Sequence, residues 1–286
     1  MFASSSFSAV VCLLVAMMSF QAGASIAKGL FPVIGAPGTT TLRLAGAVLM
    51  LCAVQRPWRS IPSRQALPSI VAYGLSLGTM NFVFYTALKT VPLGIAVGLE
   101  FTGPLAVALA ASRRRLDLVW VGLAIAGLLC LLPFEHSGAP LDKAGAAWAL
   151  AAGGFWALYI IFGQRAGRAH GSSAATWGLL VAALAIAPIG MWDAGTRLLA
   201  RDVWPRGLAL AALSSALPYT LEMIALRRLS ARVYGTLMSL EPAGAALAGL
   251  LLLQERLSTL QWAGIVAVMI ASAGALGHEQ TARPEP

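Results

Sequence analysis

The chain has 286 residues, of which 58% are hydrophobic and only 11% charged, with a mean hydropathy of +0.78 and a formal net charge of +9. Soluble domains carry about 25% charged residues, so a soluble protein is excluded. The apolar residues run along the whole chain in stretches of helical length. The alternating ten-residue segments of a transmembrane barrel are absent, which leaves an all-α integral membrane protein with the lipid bilayer as its solvent.

A span needs about twenty mostly apolar residues. Ten stretches meet this: Phe7–Ala27, Pro37–Val54, Leu67–Leu88, Leu93–Ala111, Leu118–Leu132, Ala144–Gly163, Ser173–Trp192, Pro205–Leu226, Val233–Leu253 and Thr259–Gly277. Residues Ser8 to Ala24 resemble a signal peptide, but no Lys or Arg precedes them, so a retained first helix is expected. The stretch 278–286 reads as a mobile polar tail. Cys12, Cys52 and Cys130 lie inside apolar runs and suggest neither disulfides nor a zinc site. His136, His170 and His278 are isolated and expected in loops or the tail, so no metal site is expected.

The basic residues set the orientation. With the N-terminus in the cytoplasm, the inner loops hold Arg56, Arg59, Arg64, Arg113, Arg114, Arg115, Arg165, Arg168, Arg227, Arg228, Arg232 and Arg283. The outer loops hold Lys28, Lys89, Lys143, Arg197, Arg201, Arg206 and Arg256. The bias puts both termini in the cytoplasm. It also accounts for the positive charge without a nucleic-acid partner, since no basic face is interleaved with aromatics.

The chain repeats itself. Ala87-Leu88-Lys89 matches Ala225-Leu226-Arg227, and Pro104 and Pro242 follow these triplets at equal distances. With five helices per half, the second copy must be inserted upside down. The expected architecture is therefore ten transmembrane helices as two inverted five-helix repeats, residues 7–134 and 143–277. That arrangement, with broken helices and a midplane site, is the pattern of secondary transporters.

The first repeat contains the most informative stretch, Val91 to Leu109. It is apolar, yet carries Glu100 near its middle. A carboxylate at bilayer depth costs about 2.5–3.5 kcal/mol on insertion scales. Gly94 and Gly98 allow close approach of a neighbouring backbone, and Pro104 removes a helix hydrogen bond just beyond the acid. Together these read as part of a transport site. The alternative is a packing helix whose acid pairs with an arginine.

Several runs resemble a known family: Gln21-Ala22-Gly23-Ala24-Ser25, Gly35-Ala36-Pro37-Gly38, Met80-Asn81, Val91 to Ala108, Gly163-Gln164-Arg165-Ala166-Gly167, Leu217-Pro218-Tyr219 with Leu221 to Leu226, and Gly235 to Ser239 with Glu241-Pro242. On these the chain is identified as similar to the drug/metabolite transporter superfamily, with two EamA-type repeats. Within it, the branch that exports threonine and homoserine from bacteria is the nearest in pattern. The resemblance implies export across the bacterial inner membrane, small neutral amino acids as substrate, drive from protons and no cofactor. It leaves a homodimer open. The segment Asp193 to Arg206 matches least and is expected to matter least.

Such a substrate brings an ammonium and a carboxylate that both need partners away from water. Glu100 is suited to the ammonium or to the coupling proton, unless it is locked in a structural pair. Arg43 keeps its charge, and its planar fork suits a carboxylate; it could equally neutralise Glu100. Glu222 shares a face with Pro218, or else pairs with Arg227 or Arg228. Glu241 precedes Pro242 and falls opposite Gly103 in the repeat, so the halves are chemically unequal; a place facing a loop or the lipid edge is the alternative. Asn81 and Tyr85, four residues apart, face the same side and could bind a hydroxyl or amine, as could Tyr159 and Gln21; for each of the four, a hydrogen bond between helices is the commoner role. Trp148, Trp156, Trp177 and Trp192 read as interface anchors or core.

No catalytic constellation is present, so an enzyme is not expected. Two other readings compete with amino-acid export. One is an exporter of other metabolites, amino-acid analogues or drugs. The other, from another class, is a membrane enzyme or a non-transporting subunit.

Overall fold

The computed structural model describes residues 2–111, 117–131, 142–171, 173–226, 229 and 231–280. His136, the bases Arg113, Arg114, Arg115, Arg227, Arg228 and Arg283, and residues 281–286 lie outside the described residues. The described chain is helical, without strands. Four helical stretches are long and apolar enough to cross a membrane: Phe7–Gln55, Leu67–Ala87, Lys143–His170 and Ser173–Leu199. Shorter apolar helices accompany them at Leu93–Val107, Val119–Leu131, Glu241–Leu253 and Thr259–Gly274.

The first helical run, Phe2–Gln55, is two helices joined at Gly35, which has φ 69° and ψ 171°. We label them α1 (2–34) and α2 (36–55). Only glycine tolerates that backbone readily. The side chain of Asp193 also crowds the place where a Cβ would stand. Pro37 then falls in the first turn of α2, where its missing N–H costs nothing. The separate loop expected after Ala27 is therefore absent. Lys28, expected in that loop, sits on α1.

The helices α3 (Leu67–Ala87), α4 (Leu93–Glu100), α5 (Thr102–Ala111) and α6 (Asp117–Leu131) follow. A single residue, Phe101, divides α4 from α5 three positions before Pro104, which cannot donate to the Glu100 carbonyl. The Thr102 hydroxyl instead donates to the Leu99 carbonyl at 2.7 Å. The break is sealed by a close approach of backbones: a Cβ on Gly153 would lie 2.7 Å from the Glu100 carbonyl oxygen. Gly94 serves as the sequence anticipated, since a Cβ there would lie 2.6 Å from the Ala246 Cα. Gly98 does not; it faces a side chain, Leu131.

Beyond these come α7 (Lys143–His170), α8 (Ser173–Ala194) and α9 (Val203–Ala211). A five-residue π-helical turn, Ala212–Ala216, leads into α10 (Leu217–Leu226). The chain closes with α11 (Ala231–Met238), α12 (Glu241–Leu253) and α13 (Thr259–Gln280). Ser239 and Leu240 break the chain just before Pro242, in the way Phe101 does before Pro104. His170 ends α7 and contacts the Ser60 carbonyl at 3.0 Å, and His278 falls within α13, so neither is in a loop. The helix runs three residues into the expected tail because no proline interrupts it before Pro284. The main core joins α1, α3, α4, α7 and α12, with Leu30, Tyr85, Leu93, Ile95, Leu99 and Ala149 fully or almost fully buried. It encloses the cavity described next.

Candidate functional site

A cavity of about 270 Å³ lies among α1, α2, α3, α4, α7, the π-helical turn, α10, α11 and α12. Glu100, Arg43, Glu222, Glu241, Asn81, Tyr85, Tyr159 and Gln21 all line it. Eight positions chosen as polar outliers in apolar spans thus meet at one hollow, from seven helices.

Arg43 enters from α2. Its Nη1 donates to the Asn81 Oδ1, and Nη2 lies 3.4 Å from the Ser214 carbonyl in the π-helical turn. A π-helical turn leaves backbone carbonyls available to outside donors. The neighbouring Leu213 carbonyl accepts from the Ser19 hydroxyl of α1 at 2.7 Å. The Arg43 Cζ is 5.5 Å from the centroid of the Tyr85 ring. Arg43 makes no ion pair with Glu100, so the structural pairing weighed from sequence is not formed. Among the described residues, the ion pair that is formed lies elsewhere, between Lys28 and Glu255.

Three acids line the same hollow. Glu100 is 7% exposed at the last turn of α4, within electrostatic reach of Glu241 and Arg43. Glu241 opens α12 and interacts with Glu222 of α10. Its Oε2 is buried and makes no hydrogen bond to the described protein, as does Arg43 Nε. Three carboxylates therefore share one hollow with one guanidinium. Unpaired ions away from water are expensive, so the balance calls for protons or a bound cation. Tyr234 lies within electrostatic reach of Glu222 and Glu241, and Tyr159 within that of Glu222. The Tyr159 ring stacks on Tyr73, with centroids 5.1 Å apart.

Sequence reasoning missed part of the lining. Trp156, read as anchor or core, faces the cavity, with its ring edge-on to Phe101 at 5.6 Å. It lies one turn from Tyr159, and that spacing was the available signal. Trp148 and Trp192 are exposed, and Trp177 Nε1 donates to the Ser60 carbonyl at 3.0 Å. Ser214, Tyr234 and Met238 also line the hollow. The second and third share the i, i+4, i+7 face of Glu241, though the break at Ser239–Leu240 obscures the period.

The EamA-like transporter family matches residues 143–277. The chain is 52% identical over 278 residues to "Threonine/homoserine exporter RhtA" of Salmonella typhimurium strain LT2, covering 97% of this chain and 93% of that protein. It is 54% identical over 266 residues to the RhtA of Escherichia coli strain K12, covering 93% and 90%. A solved crystal structure matches with a TM-score of 0.56 over 98% of each chain, at 20% identity, and so shares the fold. On this similarity the chain belongs to the EamA-like transporter family of the drug/metabolite transporter superfamily, whose members move solutes and are not enzymes.

Proposed function

We propose that this protein exports small neutral amino acids, threonine and homoserine among them, across the bacterial inner membrane by proton antiport with alternating access. The observation that carries the reading is the cavity itself: one arginine that, among the described residues, forms no ion pair, in the same hollow as three carboxylates. A zwitterion supplies what both charges lack. Its carboxylate goes to Arg43 and its ammonium to the acids. Glu100, Glu222 and Glu241 then divide ammonium binding and proton carriage among themselves. Tyr85, Tyr159 and Gln21 complete the polar wall. The similarity to the RhtA exporters supports the substrate class.

In this reading the ten helical stretches form two inverted five-helix units, residues 7–134 and 143–277, that rock about the cavity with both termini in the cytoplasm. The two backbone breaks before Pro104 and Pro242 support that pairing. A second reading, export of analogues with apolar side chains, is favoured by Phe20, Met80, Phe84 and Met238 on the same wall. Methionine-rich walls repack around varied shapes.

Counterflow of radiolabelled threonine in proteoliposomes tests the proposal. Exchange by the purified protein alone, competed by homoserine, is the expected result. No exchange with any small amino acid would overturn it, and competition by apolar analogues alone would favour the second reading.

A further inference from the structure

Of the two roles open to Asn81 from sequence, solute contact and a bond between helices, the geometry shows the second. The side chain is 3% exposed on α3, one turn before Tyr85. Its Nδ2 donates to the Leu77 carbonyl of its own helix at 2.8 Å. That bond settles which end of the amide faces away, and Oδ1 is turned to α2, where it accepts from Arg43 Nη1. Both ends of the amide are engaged.

The partner's chemistry matters as much as its position. An arginine at bilayer depth pairs with an acid or with backbone carbonyls. Here the partner is neutral. An amide fixes one edge of the guanidinium without cancelling its charge. Tyr85 lies beside the same group, and Ser214 offers a carbonyl to its second terminal nitrogen. The three contacts come from α3 and the π-helical turn, so they hold Arg43 from two sides.

We propose that Asn81 is a positioning residue for Arg43: it orients the guanidinium, still fully charged, toward the carboxylate of the solute and makes no contact with the solute itself. This deepens the proposed function and rests on it for the identity of the solute, but the Asn81–Arg43 relation can be read without transport.

The experiment compares wild type with Asn81→Leu, Asn81→Gln, Asn81→Asp and Arg43→Gln in counterflow. Threonine, threoninamide and 2-aminobutyrate serve as competitors; the second lacks the carboxylate and the third lacks the hydroxyl. Asn81→Leu is expected to raise the half-saturation for threonine by about tenfold, the equivalent of one charge-assisted hydrogen bond. The preference for threonine over threoninamide should collapse to that of Arg43→Gln, while the preference over 2-aminobutyrate stays. Asn81→Gln should recover part of the loss. Asn81→Asp should not, because it neutralises the arginine. Loss of the hydroxyl preference with the carboxylate preference intact would overturn the proposal, since Asn81 would then read the solute directly.

Phenylglyoxal modification of Arg43, followed by mass spectrometry on folded protein in detergent, gives a readout independent of substrate. Asn81→Leu, or Asn81→Gln if the leucine variant does not fold, should speed labelling several-fold. An unchanged rate would overturn the proposal even if wild type moved no amino acid, whereas absent wild-type counterflow alone would strike only the transport reading.

Discussion

Lys28 Nζ stands 2.5 Å from Glu255 Oε1, and the other oxygen of Glu255 accepts the Leu93 amide at 2.7 Å. Lys28 also donates to the Val91 carbonyl at 3.2 Å. One cluster therefore ties α1, the start of α4 and the segment after α12 at the same end of the molecule. Both side chains are largely shielded, at 20% and 15% exposure. Gln21 and Ala24, on the same helix as Lys28 and one to two turns before it, line the cavity. Such a clasp would close this end in one state of an alternating-access cycle.

If the protein works by alternating access, that closure must break once per cycle. Lys28→Ala and Glu255→Gln should each shift the population toward the state open at this end. A cysteine placed at Ala24 in a cysteine-free background should then react faster with an impermeant thiol reagent. Melting should fall by the equivalent of about 1–2 kcal/mol. Exchanging the two charges should restore only part of the loss, because a lysine at position 255 cannot accept the Leu93 N–H.

Glu100→Gln tests proton coupling. In antiport, uptake into vesicles is driven by an acidic lumen through molecules whose cytoplasmic side faces the bath. Wild type should accumulate threonine when the lumen is acidic and lose the effect when the gradient is collapsed. The variant should lose gradient-driven accumulation by at least about tenfold, since an amide cannot carry the proton. Accumulation equal to wild type would remove Glu100 from the coupling path.

Gly153→Ala should damage the centre of the molecule. The added methyl would meet the Glu100 carbonyl at 2.7 Å, and backbone cannot step aside as a flexible side chain does. Overpacking of this kind costs about 1–3 kcal/mol. The expected outcome is a lower melting temperature together with reduced exchange, as the break beside Glu100 is displaced. Gly154→Ala is the control, because a Cβ there meets open space.

The Thr90 hydroxyl donates to Asp142 at 2.7 Å and holds its carboxyl below the ordinary aspartate value; the amides of Ala144 and Gly145, at the start of α7, add to this. A carboxyl lowered in the folded state stabilises it above the unfolded value and loses that effect as pH falls through the folded one. The difference in melting temperature between wild type and Asp142→Asn should therefore be constant above about pH 5 and close below about pH 4. The group is exposed, so the difference should be small.

The residues that line the cavity were legible because bilayer insertion penalises them. Glu100, Arg43, Glu222 and Glu241 stand out in apolar text whatever their neighbours are. Their partners were not legible. Periodicity tells which residues share a face, as with Asn81 and Tyr85, but not how one helix is rotated against the next. For Arg43, charge alone left a solute carboxylate and Glu100 as the partners to weigh, and the contact with Asn81 was visible only in the geometry. Aromatic and methionine lining such as Trp156 and Met238 is hidden for another reason: lipid and cavity wall both accept apolar side chains. The Lys28–Glu255 pair joins positions 227 apart in sequence, and no local pattern announces it.

The π-helical turn at Ala212–Ala216 accommodates one peptide unit more than an α-helix would over the same rise. Each residue of an α-helix advances the azimuth by about 100°. The five residues of the wider turn sweep about the same angle as four of an α-helix, so α9 and α10 stay aligned across it. What the surplus link supplies is a pair of carbonyls that the helix does not consume: those of Leu213 and Ser214 accept from Ser19 and Arg43. Deleting Ala212 would let the segment anneal into regular helix, leave Glu222 at its depth and bearing, and withdraw both acceptors from α1 and α2.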